Sequence, residues 1–166
     1  GHDHHFGKNR EGSLKNLQEL SALYDFKLEQ IQAQNVDGIT ISSTKIRNAI
    51  INGDFKKVNS FLCCNFSVTG VVVKGNGLGN NIGFPTANIA ILNKHKILPK
   101  DGVYAVRCLV ENVIYYGMLN IGFRPTIVDS EYVMEVHIFD FNKNIYSQEI
   151  IVEFVERIRE KVNTFT

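Results

Sequence analysis

What is scarce in this sequence narrows the field first. No apolar run approaches the roughly 18 residues that a membrane helix needs, and no signal-peptide pattern opens the chain. Charge of either sign is not in excess: 18 Lys and Arg stand against 17 Asp and Glu, a net +1. The balance also holds locally, with eight against seven in residues 1–60 and ten against ten in residues 61–166. A nucleic-acid binder carries a basic patch or stripe, so nucleic acid is set aside as a partner, as is a membrane. Cysteine is scarce as well. Cys63, Cys64 and Cys108 are odd in number, two of them adjacent, which makes neither a disulfide framework nor a CxxC metal pair. A reducing, cytoplasmic compartment is expected, with Cys63 and Cys64 as small buried residues. There is no internal repeat or low-complexity stretch. The first residue is Gly1 rather than Met, inside what reads as the middle of a domain.

What is present is the balance of a globular protein: 44% hydrophobic and 21% charged residues over 166 positions. That length suits one substantial domain and a piece of a second. Residues 1–60 read as α/β. Leu14, Leu17, Leu20 and Leu23 recur at helical spacing behind Ser13 as N-cap. Residues 28–36 (LEQIQAQNV) read as a strand punctuated by Asp37-Gly38. In ISSTKIRNAIINGDF, Ser43 or Thr44 caps a helix through Ile46, Ile50 and Ile51 that Gly53 ends, and DFKKVNSFL makes a second short helix. After about residue 66 the chain turns β-rich: FSVTGVVVK, GVYAVRCLV, VIYYGMLNI, YVMEVHIFDF and QEIIVEFV. Glu111-Asn112 separates two of these as a hairpin. Strands at such spacing make a closed antiparallel barrel or a sandwich, and ERIREKVNTFT reads as the start of a terminal helix. The division between the α/β piece and the β-rich part is placed near residue 60.

The stretch KGNGLGNNIGFPTANI, residues 74–89, stands out. Gly75, Gly77, Gly79 and Gly83 permit backbone conformations that other residues resist and a close approach to a ligand, and N–H groups in such a loop can cradle phosphate oxygens. It is no P-loop, because the GK[ST] ending is absent. Taken alone, the glycines also suit a flexible hairpin connection. Pro85-Thr86-Ala87-Asn88 adds chemistry. Thr86 and Asn88 alternate, so in an extended segment their side chains face one way. A hydroxyl and an amide carbonyl are oxygen ligands of the kind Mg²⁺ accepts beside substrate phosphates. They could equally satisfy turn hydrogen bonds.

In order and spacing, KGNGLGNNIGFPTANI, LPKDGVYAV, NIGFRPT, MEVHIFDF with Tyr146 behind it, and RIRE resemble the riboflavin kinase family. GHDHHFGKNREGSL and ISSTKIR resemble later motifs of the flavin adenylyltransferase module that bacteria fuse ahead of that kinase. The resemblance covers nearly all of the chain. It implies a six-stranded antiparallel riboflavin-kinase-like barrel with a C-terminal helix over residues 61–166, and an α/β nucleotidyltransferase remnant over residues 1–60. It implies transfer of the γ-phosphoryl of ATP to the 5′-hydroxyl of riboflavin, giving FMN. Glu135 matches the catalytic carboxylate, and Thr86 and Asn88 match the Mg²⁺ and phosphate pair. Lys74 and Gly75 match the flap over ATP, and Asn80 lies in it where the family has Arg or Lys. Ile138, Asp140 and Tyr146 fall where the family meets the nucleotide, and Arg159 matches an arginine near the flavin. Arg124, in FRPT, is structural or meets a phosphate. Cys63-Cys64-Asn65-Phe66 replaces the usual Gly-Arg-Pro-Tyr, and the chain stops at Thr166 before the family's terminal helix is complete. A carboxylate suits the Glu135 role, because the acceptor hydroxyl needs orientation and somewhere to send its proton. In so apolar a strand, partial desolvation is expected to make it a better base.

In the remnant, Asp3 belongs to a Gly-x-Asp-x-x-Phe-Gly segment at a strand end beside the flavin nucleotide. The neighbouring His2, His4 and His5 could also bind nickel or zinc adventitiously. Ser42, Ser43, Thr44 and Arg47 match residues that hold ATP phosphates at a helix N-terminus, where free N–H groups attract anions; plain capping would look similar. The module's early His-x-Gly-His motif occurs nowhere in these residues, so FMN adenylylation is expected only with the front half of that module, the implied partner of this chain. Two other readings are a flavin- or nucleotide-binding barrel without turnover, and an oligonucleotide-binding barrel, against which the charge balance weighs.

Overall fold

The computed structural model describes residues 5–75, 85–93, 95–125 and 130–160. By internal contacts the chain forms two compact units, Gly1–Ser42 and Ser43–Thr166. In the first, α1 (Leu14–Tyr24) starts at Ser13, whose backbone N–H donates to Asn16 Oδ1 at 2.9 Å, one arm of a capping box. The short strands β1 (Asn35–Val36) and β2 (Ile39–Thr40) flank Asp37-Gly38. Both turn residues have positive φ, 49° and 74°, as the tight hairpin turn that suits strand twist requires. The strand expected over residues 28–36 shrinks to two residues. Its apolar positions do not alternate, and its partner β2 ends at Thr40, three residues before the next helix.

The second unit opens with α2 (Ser43–Asn52) and α3 (Phe55–Leu62). Gly53 breaks the chain between them at φ 74°, and Asp54 caps α3 by accepting from Lys57 N at 3.2 Å. Phe55, Val58 and Phe61 recur at helical spacing and are all buried. Phe55 stacks on Phe154 at 4.6 Å and meets Tyr104 edge-on at 5.5 Å. The helix pair therefore shares one core with the strands that follow. The sequence places the division near residue 60, whereas residues 43–60 pack with the β-rich part. Cys63 ends α3 in the left-handed conformation, φ 54°. Cys63 and Cys64 are exposed in this turn, contrary to the buried role expected of them; the turn carries the chain over the surface to the first barrel strand.

Six strands follow: β3 (Ser67–Val73), β4 (Ala87–Ile91), β5 (Gly102–Val110), β6 (Val113–Pro125), β7 (Ser130–Ile138) and β8 (Glu149–Arg159). They close into an antiparallel barrel in the order β3-β4-β7-β6-β5-β8, with β8 returning to β3. Glu111 and Asn112 form the β5–β6 turn at φ 49° and 64°. Strand alternation sends Val68 and Val72, Tyr104, Val106 and Cys108, Leu119 and Ile121, Met134 and Val136, and Ile150, Val152 and Phe154 inward. Residues 156–159, read from the sequence as helix, continue β8, because Arg157 and Arg159 stay paired with Tyr104 and Val103 across a register shift. The rest of that tail, 161–166, lies outside the described residues.

Candidate active site

Barrel register gathers polar groups on its outer face. Asn88 pairs with Glu135, Glu135 with Asn120, Asn120 with Val103, and Val103 with Arg159. Directly opposed residues of antiparallel strands project to one face, so five strand positions form one continuous row across β4, β7, β6, β5 and β8. Glu135 stands between Met134 and Val136, which both point into the core, and is half-buried on the outside.

Arg159 keeps to this row across two register shifts in β8. Arg157 pairs with the inward Tyr104, and in a regular strand Arg159, two residues on, would face inward too. A register shift leaves Ile158 unpaired between them. It offsets an earlier shift that leaves Val155 unpaired, so the alternation counted from the inward Phe154 is restored and Arg159 shares the face that carries Glu135.

One cleft is lined by Thr86, Val103, Met118, Asn120, Glu135, His137 and Arg159. A second pocket, of about 260 Å³, begins on the other side of Thr86 and runs past Ile138 to the 141–146 loop, where Phe141, Lys143 and Tyr146 line it. Thr86 is thus common to both. Asn88 points into a third hollow with Lys74 and Gly75. A methyl group built on Gly75 would lie 1.9 Å from Asn88 Nδ2, so the absent Cβ makes the space in which this amide sits. Thr86 and Asn88 occupy the same side of an extended segment, as their alternation predicts, and offer a hydroxyl and an amide oxygen. That donor set suits a hard cation such as Mg²⁺.

The expected residues divide accordingly. Thr86, Glu135 and Arg159 come together, as do Thr86, Ile138 and Tyr146, and as do Lys74, Gly75 and Asn88. Asp140 lies exposed in the turn after β7, at φ 52°, outside these hollows. Ser42 stands just ahead of α2; Ser43, Thr44 and Arg47 are on it, and all four are exposed. Asp3, His2, His4 and Asn80 lie outside the described residues, and Arg124 falls on β6. Among the described residues there is no group of three or more His, Cys, Asp and Glu side chains able to hold a metal ion. Sequence reading missed Asn120, His137, Val103 and Met118. Cross-strand register brings Asn120, Val103 and Met118 to the cleft, whereas His137 follows Glu135 by two residues on β7 and shares its face; Asn120 and His137 both sit inside motifs already singled out.

Comparison with known proteins bears on the family and the fold. Residues 62–165 match the riboflavin kinase family, and residues 1–45 match the FAD synthetase family. The chain is 40% identical over 163 residues to the bifunctional riboflavin kinase/FMN adenylyltransferase of Haemophilus influenzae, covering 98% of this chain and 52% of that protein. The protein so named from Pseudomonas fluorescens is 35% identical, covering 97% and 51%, and that from Bacillus subtilis 36%, covering 97% and 51%. The chain spans about half the length of these curated relatives. A solved structure described as a macrolide-efflux protein from Streptococcus pneumoniae superposes with a TM-score of 0.86 at 32% identity, over 100% of this chain and 53% of that one. No helix among the described residues is long and apolar enough to cross a membrane. With its matched segment spanning residues 62–165 and a closed six-stranded barrel carrying Thr86, Asn88 and Glu135 on one face, the chain belongs to the riboflavin kinase family.

Proposed function

We propose that this chain is an ATP-dependent riboflavin kinase, moving the γ-phosphoryl of ATP to the riboflavin 5′-hydroxyl to give FMN and ADP. The observation that carries the reading is the cleft shared by Thr86, Glu135 and Arg159, with a second pocket opening on the far side of Thr86. ATP lies along that second pocket against Ile138 and Tyr146, its phosphates reaching Thr86. Lys74 and Gly75 close over them from the β3 end. Riboflavin occupies the Glu135 cleft, with Arg159 at its rim. Glu135 orients the 5′-hydroxyl and accepts its proton as the oxygen attacks phosphorus. Thr86 and Asn88 would hold Mg²⁺, which would supply charge neutralisation beside the phosphates. Residues 61–166 act as the kinase module.

Residues 1–60 are the end of an adenylyltransferase module, with Asp3, Ser42, Ser43, Thr44 and Arg47 as its candidate nucleotide-binding residues. In a chain that carries the front half of its relatives, this module converts FMN to FAD. Three free cysteines, two of them exposed, support a reducing cytoplasmic setting.

Chromatography of riboflavin incubated with Mg·ATP and the protein tests this reading. A new FMN peak that requires ATP is expected. Quenching of riboflavin fluorescence without any FMN would instead mark a binding barrel without turnover.

A further inference from the structure

The kinase reading leaves His137 without a role, yet the structure ties it to the start of the Pro-Thr-Ala-Asn segment. Its Nδ1 lies 2.9 Å from the carbonyl oxygen of Pro85. A carbonyl can only accept, so Nδ1 carries the proton and donates. The tie comes where the sheet is thinnest. β4 and β7 are paired only through Ala87–Val136 and Asn88–Glu135. Continuing that register by one step sets Thr86 opposite His137, outside the paired residues. One position earlier stands Pro85, which has no N–H to give to a ladder. The imidazole does not replace that missing donor; it gives the Pro85 carbonyl a donor from β7, and so ties the segment to β7 just beyond the last ladder pair. It does so from the outer face of β7, two residues from Glu135, and it lines the same cleft. Its ring is braced edge-on against Phe139 at 5.6 Å.

We propose that His137 is a positioning residue that sets Thr86 relative to Glu135, and hence the ATP phosphates relative to the base, by holding the Pro85 carbonyl through Nδ1. The inference rests on the kinase reading above. It separates the two ring nitrogens: Nδ1 does the positioning, and proton transfer through Nε2 is not required.

Three variants distinguish these roles. The amide nitrogen of His137→Asn reproduces the reach of Nδ1, that of His137→Gln reproduces the reach of Nε2, and His137→Phe keeps only the ring. Steady-state FMN formation is expected to stay within about threefold of the parent in His137→Asn, with an unchanged pH profile. In His137→Gln and His137→Phe, KM for Mg·ATP rises by about tenfold, while KM for riboflavin holds. Amide hydrogen exchange without substrates gives an independent reading. Residues 86–88 exchange faster in the Gln and Phe variants and at the parental rate in the Asn variant. The proposal is overturned if Gln rescues as well as Asn does, or if the Asn variant loses kcat with an altered pH profile, which would make the imidazole an acid or base. A parent that makes no FMN overturns the kinase reading instead, and exchange at residues 86–88 still decides whether the tie holds.

Discussion

Asn88 sits where it does because residue 75 has no side chain. A Cβ there would press on Nδ2, at the free end of the Asn88 side chain, so the amide would yield and the strand would keep its place. Gly75→Ala is therefore expected to leave thermal stability within the range of a surface change while weakening the Mg²⁺ dependence of FMN formation by at least about tenfold. Titrating the rate against Mg²⁺ in both proteins checks this; an unchanged titration removes Asn88 from the metal site. At this scale the sequence was legible where chemistry and spacing coincide. Thr86 and Asn88 alternate within four residues, and Glu135 lies between the buried Met134 and Val136. Asn120 and Arg159 were harder. One is 15 residues from Glu135 in sequence and opposite it in space, and the other joins the row only through the pairing of β5 with β8, across two register shifts.

Elements followed their punctuation closely. Ser13, Gly53, Asp54 and Glu111-Asn112 each begin, end or turn an element as their side chains and backbone freedom dictate. Errors arose where pairing overrode local pattern. Residues 28–36 gained almost no partner, whereas residues 156–159 kept one in β5 and stayed extended. Helix α3 carries the clearest energetic consequence. Phe55 is 1% exposed and touches the rings of Phe66, Tyr104 and Phe154, so truncating it opens a cavity between helix and barrel. Phe55→Ala should cost about 3–5 kcal/mol in urea unfolding. A loss below about 1 kcal/mol would mean that α3 lies on the barrel without sealing it.

Across the whole molecule, burial also shapes the response to pH. Cys108 is fully buried, and burial pushes its thiol from 9.0 up to about 12. Burial likewise raises the phenols of Tyr104 and Tyr132, which donate to the carbonyls of Lys100 and Pro99. All three are neutral when protonated, so above the unfolded values of 9.0 and 10.0 the folded protein keeps protons that the unfolded chain releases. Stability from these groups is complete below about pH 9 and is lost as pH rises from there toward 12, by on the order of 1 kcal/mol per pH unit for each group involved. Urea midpoints between pH 7 and 11 should hold level and then fall, with the onset of the fall delayed in Cys108→Ala. A midpoint that climbs above pH 9 would contradict this.

The β-rich part was legible because five stretches of strand-forming residues left a barrel or a sandwich as ways to bury their apolar faces, and the family resemblance pointed to the six-stranded barrel that β4 completes. The row that crosses it from Asn88 to Arg159 was not, since register belongs to the closed sheet. Its carboxylate gives the most direct test: the turnover of Glu135→Gln beside the parent, with riboflavin binding followed by fluorescence. Glutamine keeps the shape and hydrogen bonding but cannot accept the proton, so kcat should fall by about 10²- to 10⁴-fold while riboflavin still binds. A variant that turns over at the parental rate would contradict the placement of the reaction at this row.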